Sequence, residues 1–134
     1  MPGRKQPLVL LAEDFEDARD LYRDYLEFSG FDVHAVTNGR EAIDQAMALQ
    51  PDLILMDASM PVLDGWQATR ELKQNPATRD IPVLALTAHA FEDARQQAEA
   101  VGCEGFITKP CLPDDLVTRV RAALGAPALD KKTR

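Results

Sequence analysis

The 134-residue chain reads as an α/β protein, a parallel sheet with helices on both faces. Three observations lead there. Short apolar runs of strand length alternate with longer segments whose apolar residues recur at helical spacing. Most of these runs are apolar on both faces, as strands covered from both sides must be. All but the second run stop at a charged or hydroxyl-bearing residue, which is where an open parallel sheet carries its chemistry.

Leu8-Val9-Leu10-Leu11-Ala12 is the first strand, ended by Glu13-Asp14. From Phe15 to about Ser29, Ala18, Leu21, Tyr22, Tyr25, Leu26 and Phe28 stand among charges and predict an amphipathic helix. Asp14 is placed to cap it, Glu16 and Asp17 suit its positive end, and Gly30 closes it. Phe31 to Val36 alternates apolar with polar and reads as an edge strand, and Asn38-Gly39 then turns the chain. Ala42, Ile43, Ala46, Met47 and Leu49 mark a second helix, stopped by Pro51.

Leu53-Ile54-Leu55-Met56 is a doubly buried strand that runs out at a lone carboxylate, Asp57. A third helix runs from about Gly65 to Gln74 and breaks at Asn75-Pro76. Pro82 to Thr87 is the fourth strand. Phe91 to Val101 is a helix whose inward stripe, mainly Ala94, Ala98 and Val101, is small. Less apolar area holds it down, so it is a candidate for the part that moves. Gly105 to Thr108 is a short fifth strand ending at Lys109-Pro110, and Pro113 to Leu124 is the last helix. Five alternations give a (βα)5 three-layer sandwich of flavodoxin-like class; the strand order 2-1-3-4-5 comes with that class and is not fixed by this sequence. Residues 7–124 are expected to form one domain, with an extension at 1–6 and a polar tail at 125–134.

Composition narrows the function. With 46% hydrophobic residues the chain can bury a core. A net charge of −7 argues against direct nucleic-acid binding. The sequence has no apolar run near the ~18 residues of a membrane span and no signal-peptide pattern, so a cytoplasmic protein without membrane insertion is expected. Cys103 and Cys111 lack metal spacing and read as reduced thiols packed as small hydrophobes.

In a parallel sheet the strand ends share one edge, so Glu13, Asp14, Asp57, Thr87 and Lys109 converge on one cleft. Singly they are commonplace: a solvated loop, a turn former, a strand-end hydroxyl, a surface lysine. Four strand ends carrying them in this order call for a joint explanation. Three carboxylates cannot all stay ionised beside a single lysine without a further counter-charge. Mg²⁺, a hard cation with oxygen ligands, is the expected cofactor where phosphate is also handled. Asp57 is then the nucleophile, with Lys109 and Thr87 left to hold phosphoryl oxygens.

These residues together resemble the receiver (response regulator) domain. The resemblance rests on Glu13-Asp14, on Asp57 followed by Met60-Pro61-Val62-Leu63-Asp64-Gly65, on Thr87-Ala88, and on Lys109-Pro110. It spans about residues 7–124 and implies a phosphoacceptor switch rather than a metabolic enzyme, with only self-phosphorylation and slow autodephosphorylation. Asp57 would take a phosphoryl group from a phosphohistidine on a histidine kinase or phosphotransfer protein. Glu13, Asp14, Asp57 and the Ser59 carbonyl would hold Mg²⁺. Thr87, small Ala88, Lys109 and the aromatic Phe106 would form the switch, and the bond before Pro110 would be cis. Ser59 and His89 would tune the lifetime of the acyl phosphate. Output would pass to a downstream protein through the fourth helix, fifth strand and fifth helix.

Donor docking is assigned to Phe15, Ala18 and Tyr22 at helical spacing, beside Pro110, Cys111 and Leu112. Whether Tyr22 faces out or joins the core stays open at this point. A haloacid-type phosphatase would need an acid at Ser59 and a cap domain. A flavodoxin would need a Ser/Thr/Gly-rich first loop instead of Glu13-Asp14-Phe15-Glu16-Asp17. A transcription factor would need a DNA-binding output domain. A stand-alone receiver, a phosphorelay shuttle and a piece of a hybrid kinase all remain open.

Overall fold

The computed structural model describes residues 6–88 and 91–125, of Phe91 the backbone alone. His89, most of the expected N-terminal extension and the tail beyond Gly125 lie outside the described residues. The elements follow in strict alternation: β1 (Leu8–Ala12), α1 (Glu16–Phe28), β2 (Asp32–Val36), α2 (Gly39–Leu49), β3 (Leu53–Asp57), α3 (Gly65–Gln74), β4 (Val83–Thr87), α4 (Phe91–Val101), β5 (Gly105–Thr108) and α5 (Pro113–Ala123). All pairings are parallel and the order is β2-β1-β3-β4-β5, as the fold class implies. β3 lies at the centre and all five of its residues are buried.

Alternate residues of the central strands feed two cores. Val9, Leu11, Leu53 and Leu55 meet Leu26 of α1 and Leu116 of α5. Leu10, Ile54 and Met56 meet Ala46 of α2 and Leu72 of α3. A third, smaller cluster joins Trp66, Ala58, Ala85, Ala98 and Val101, with Phe106 packed against it. β2 alternates exposed with half-buried positions, as an edge strand should. Cys103 and Cys111 are free thiols, and burial pushes Cys103 up to about 11.

Helix starts follow their local chemistry, with one correction. Asp14 does not cap α1. The N-cap is Phe15, which has no side-chain cap. The Glu13 N–H donates to the Val36 carbonyl at 3.0 Å, so the chain stays extended one residue further. The Phe15 N–H then donates to the Glu13 carboxylate at 3.2 Å. Asn38, expected only as a turn residue, caps α2 by accepting from the Glu41 N–H. Asp64 and Gln67 form a reciprocal capping box at the start of α3.

Two fixtures position the rest. At the amino edge of the sheet, Lys73 donates to the carbonyls of Arg79 and Ile81 and to the Glu104 carboxylate, at 3.1, 2.8 and 2.9 Å. Glu104 in turn accepts from the Val83 N–H at 2.7 Å, so α3, β4 and the α4–β5 turn are clasped together. At the carboxyl edge, the β3–α3 loop turns tightly. Val62 sits at φ 69°, a conformation uncomfortable for a β-branched residue, and Leu63 N–H reaches back to the Pro61 carbonyl at 2.7 Å. Gly65 then passes so close to the preceding strand that an added Cβ would lie 2.1 Å from the Asp57 carbonyl oxygen.

Backbone, not a yielding side chain, blocks that Cβ. Gly65→Ala should therefore cost about 3 kcal/mol, the upper range for overpacking. Urea denaturation of both proteins checks this.

Candidate functional site

The register of the sheet brings the strand ends level: Asp57 lies beside Leu86, and Thr87 beside Thr108. Three loops then leave the same edge. The Ala58 N–H donates to the Leu86 carbonyl, and the Lys109 N–H to the Thr87 carbonyl at 2.7 Å. Of the five residues expected to converge, Glu13, Asp14, Asp57 and Lys109 lie together. Glu13, Asp14 and Asp57 each offer a carboxylate oxygen within 4.8 Å of the others.

They differ in exposure. Glu13 is fully buried and Asp57 is 4% exposed, whereas Asp14 faces solvent. Lys109 reaches in from β5: its Nζ lies 3.0 Å from Glu13 Oε1 and 3.5 Å from Asp57 Oδ2. The Lys109–Pro110 peptide is cis. The Ser59 N–H donates to Asp57 Oδ1 at 3.1 Å. Thr87 is buried at the end of β4, Ala88 is exposed just beyond it, and Phe106 is half-buried on β5.

The electrostatics follow from this crowding. Burial and then the Glu13 carboxyl raise Asp57 to about 7, against the opposing pull of the Ser59 N–H and Lys109. Burial pulls Lys109 down, but Glu13 and Asp57 more than offset it, and its value is raised. Two buried acids thus share one lysine. That is the chemistry of a pocket short of positive charge. Three hard carboxylate oxygens within one cation's reach fit a divalent ion such as Mg²⁺.

The sequence alone put Glu13 and Asp14 together on the metal and gave Lys109 only a phosphoryl-binding task. The structure separates them: Glu13 is the lysine's tight partner. Tyr22 settles in the core at 4% exposure, Ala18 is half-buried, and of the three only Phe15 is well exposed, at 61%. The proposed docking strip therefore shrinks to its first residue. Tyr22 also lies within the field of Lys109, Glu13 and Asp57, with burial the main cause of its raised value. No spacing signal distinguished that from an ordinary core tyrosine.

Comparison with known proteins agrees with this geometry. The family model of the response regulator receiver domain matches residues 9–121. The polar-differentiation response regulator DivK of Brucella anthropi is 38% identical over 117 residues, covering 87% of this chain and 95% of that protein. The receiver domain of the sensor histidine kinase PA1611 from Pseudomonas aeruginosa, solved with a magnesium ion coordinated in its active-site cleft, superposes with a TM-score of 0.83 at 32% identity. It covers 90% of this chain and 98% of that one. The Vibrio cholerae chemotaxis protein CheY4 gives a TM-score of 0.83 at 27% identity, over 88% and 98% of the two chains.

Asp57 rises from 3.8 to about 7 on folding, so its contribution to stability is complete below pH ~4 and is lost as pH rises through about 7. Metal-free protein should become less stable across that window. Asp57→Asn should flatten the decline and melt higher at pH 8; thermal melts in chelator from pH 4 to 8 check both.

Proposed function

Because the chain belongs to the response regulator receiver family, we propose that Asp57 accepts a phosphoryl group from a phosphohistidine on a histidine kinase or phosphotransfer protein. The observation that carries this is the placement of Lys109 Nζ between Glu13 and Asp57, at 3.0 and 3.5 Å, across 96 positions of sequence. A lysine held there can leave Glu13 for a phosphoryl oxygen on Asp57 without moving far.

The steps follow from the side chains. An Asp57 oxygen attacks phosphorus in line, the P–N bond to the donor imidazole breaks, and an acyl phosphate forms on Asp57. Glu13, Asp14, Asp57 and the Ser59 carbonyl would hold Mg²⁺, which when bound would supply positive charge to keep Asp57 ionised and to offset the phosphoryl oxygens. Lys109 and the Thr87 hydroxyl hold the remaining oxygens. As Thr87 is drawn in, Phe106 turns inward past the small Ala88. Ser59 and His89, two positions after Asp57 and Thr87 in sequence, tune the lifetime of the acyl phosphate against attacking water. Autodephosphorylation is a separate, slow hydrolysis: water attacks phosphorus, the P–O bond to Asp57 breaks, and inorganic phosphate leaves the free carboxylate.

Two surfaces support the partner assignments. Phe15 and Leu112, at 61% and 69% exposure, stand at the starts of α1 and α5 on the edge that bears the pocket, where a donor must approach. A groove of about 380 Å³ beside β5 and α5, lined by Thr108, Leu112 and Arg119 among others, lies on the face assigned to the downstream protein. Among the described residues no helix is long and apolar enough to cross a membrane. We place the protein in the cytoplasm, with residues 7–124 as the receiver unit and no direct nucleic-acid contact.

Incubation with acetyl phosphate and Mg²⁺ should add one phosphoryl group, read by intact mass. Asp57→Asn should abolish the addition, and unchanged labelling in that variant excludes the assignment. Lys109→Ala should still fold and still accept phosphate slowly, yet fail to switch. Phosphorylation-dependent amide shifts in α4 and β5 that persist in this variant would refute the lysine's role.

A further inference from the structure

Among the described residues, the indole nitrogen of Trp66 is the buried side-chain polar atom without a hydrogen-bond partner. The residue is nine-tenths buried. Its place in the fold is specific. Trp66 follows Gly65, the residue pressed against the Asp57 carbonyl, and packs on Ala58 next to Asp57. Its other neighbours are Ala85 of β4, Ala98 and Val101 of α4, and Phe106 of β5. One apolar cluster therefore holds the ring together with the loop that follows Asp57 and the helix that follows Thr87, and the aromatic expected to move packs against that cluster.

A buried donor without an acceptor disfavours the state that contains it. Any rearrangement that supplies an acceptor gains from it, and a ligand linked to that rearrangement binds more tightly in proportion. The acceptor has few possible sources. The backbones of Ala58 and Ala85 are held in place, the first by the Gly65 N–H on its carbonyl at 2.9 Å and the second within the sheet. α4 is different. It presents Ala94, Ala98 and Val101 to the interior, so its backbone can come close to the ring. Helix carbonyls keep a second lone pair for such a contact.

We propose that the Trp66 indole N–H gains its acceptor from a backbone carbonyl of α4 when the Asp57 pocket is filled, making Trp66 a positioning residue that favours the filled state. This rests on the phosphoacceptor reading of Asp57 and adds a residue to it.

The chain has one tryptophan, so its indole resonance is unambiguous in a ¹H–¹⁵N spectrum. Beryllofluoride with Mg²⁺, a phosphoryl mimic, is titrated into the full chain. The Ser59 and Thr87 amides report filling of the pocket. The indole proton should move downfield as they shift, and its exchange with solvent should slow. Trp66→Phe keeps a ring but removes the donor; by reciprocity it should weaken beryllofluoride binding about tenfold. A purely structural role would lower the melting temperature and leave that affinity unchanged, which overturns the proposal. An indole proton that stays in place while Ser59 and Thr87 respond also overturns it, even if the variant fails to fold. Silence at Ser59 and Thr87 instead refutes the phosphoacceptor reading, and this inference with it.

Discussion

The ion pair that joins Lys109 to both Glu13 and Asp57 is the constraint on which the rest of the molecule depends. Two carboxylates with almost no solvent around them repel one another, and the lysine offsets only part of that. Such an arrangement persists because five strands of matched register place its members, and because two apolar cores hold the strands. The pocket is thus electrostatically strained by design of the fold. Its residual deficit of positive charge is what makes it receptive to a cation and to chemistry that changes charge on Asp57.

The backbone contributes as much as the charges. Gly65 lets α3 begin directly against the Asp57 carbonyl, and the tight turn at Val62 makes room for that approach. A change at Asp57 consequently cannot stay local. The Asp57 backbone abuts the first turn of α3, and Trp66 in that turn shares an apolar cluster with the inner residues of α4. The small residues of α4 complete the connection: they bury little area and permit displacement at low cost.

Much of this was legible before any coordinates. The apolar runs with their polar stops located all ten elements and the acids at Glu13, Asp14 and Asp57, because buried parallel strands have a distinctive composition. Strand order was legible only through the fold class, since nothing in the residues themselves dictates which neighbours pair. What stayed hidden depends on direction rather than type. Adjacent Glu13 and Asp14 look equivalent in sequence, yet one extra strand-like hydrogen bond to Val36 turns Glu13 inward and leaves Asp14 outside. The same bond displaced the helix cap to Phe15. Tyr22 and Trp66 read as ordinary core aromatics, because neither a charge field nor an unmet donor leaves a mark on spacing.

The Lys73 clasp gives α4 a fixed end. With Glu104 bound to Lys73 and to the Val83 amide, the carboxyl end of the helix can serve as a fulcrum for the tip at its amino end, where the inward residue is the small Ala94. Eleven residues make an arm of roughly 16 Å, so a tilt of about 5° swings the tip by ~1.4 Å while the fulcrum hardly stirs. A sub-ångström pull on one hydroxyl can in this way become a displacement large enough for another protein to feel.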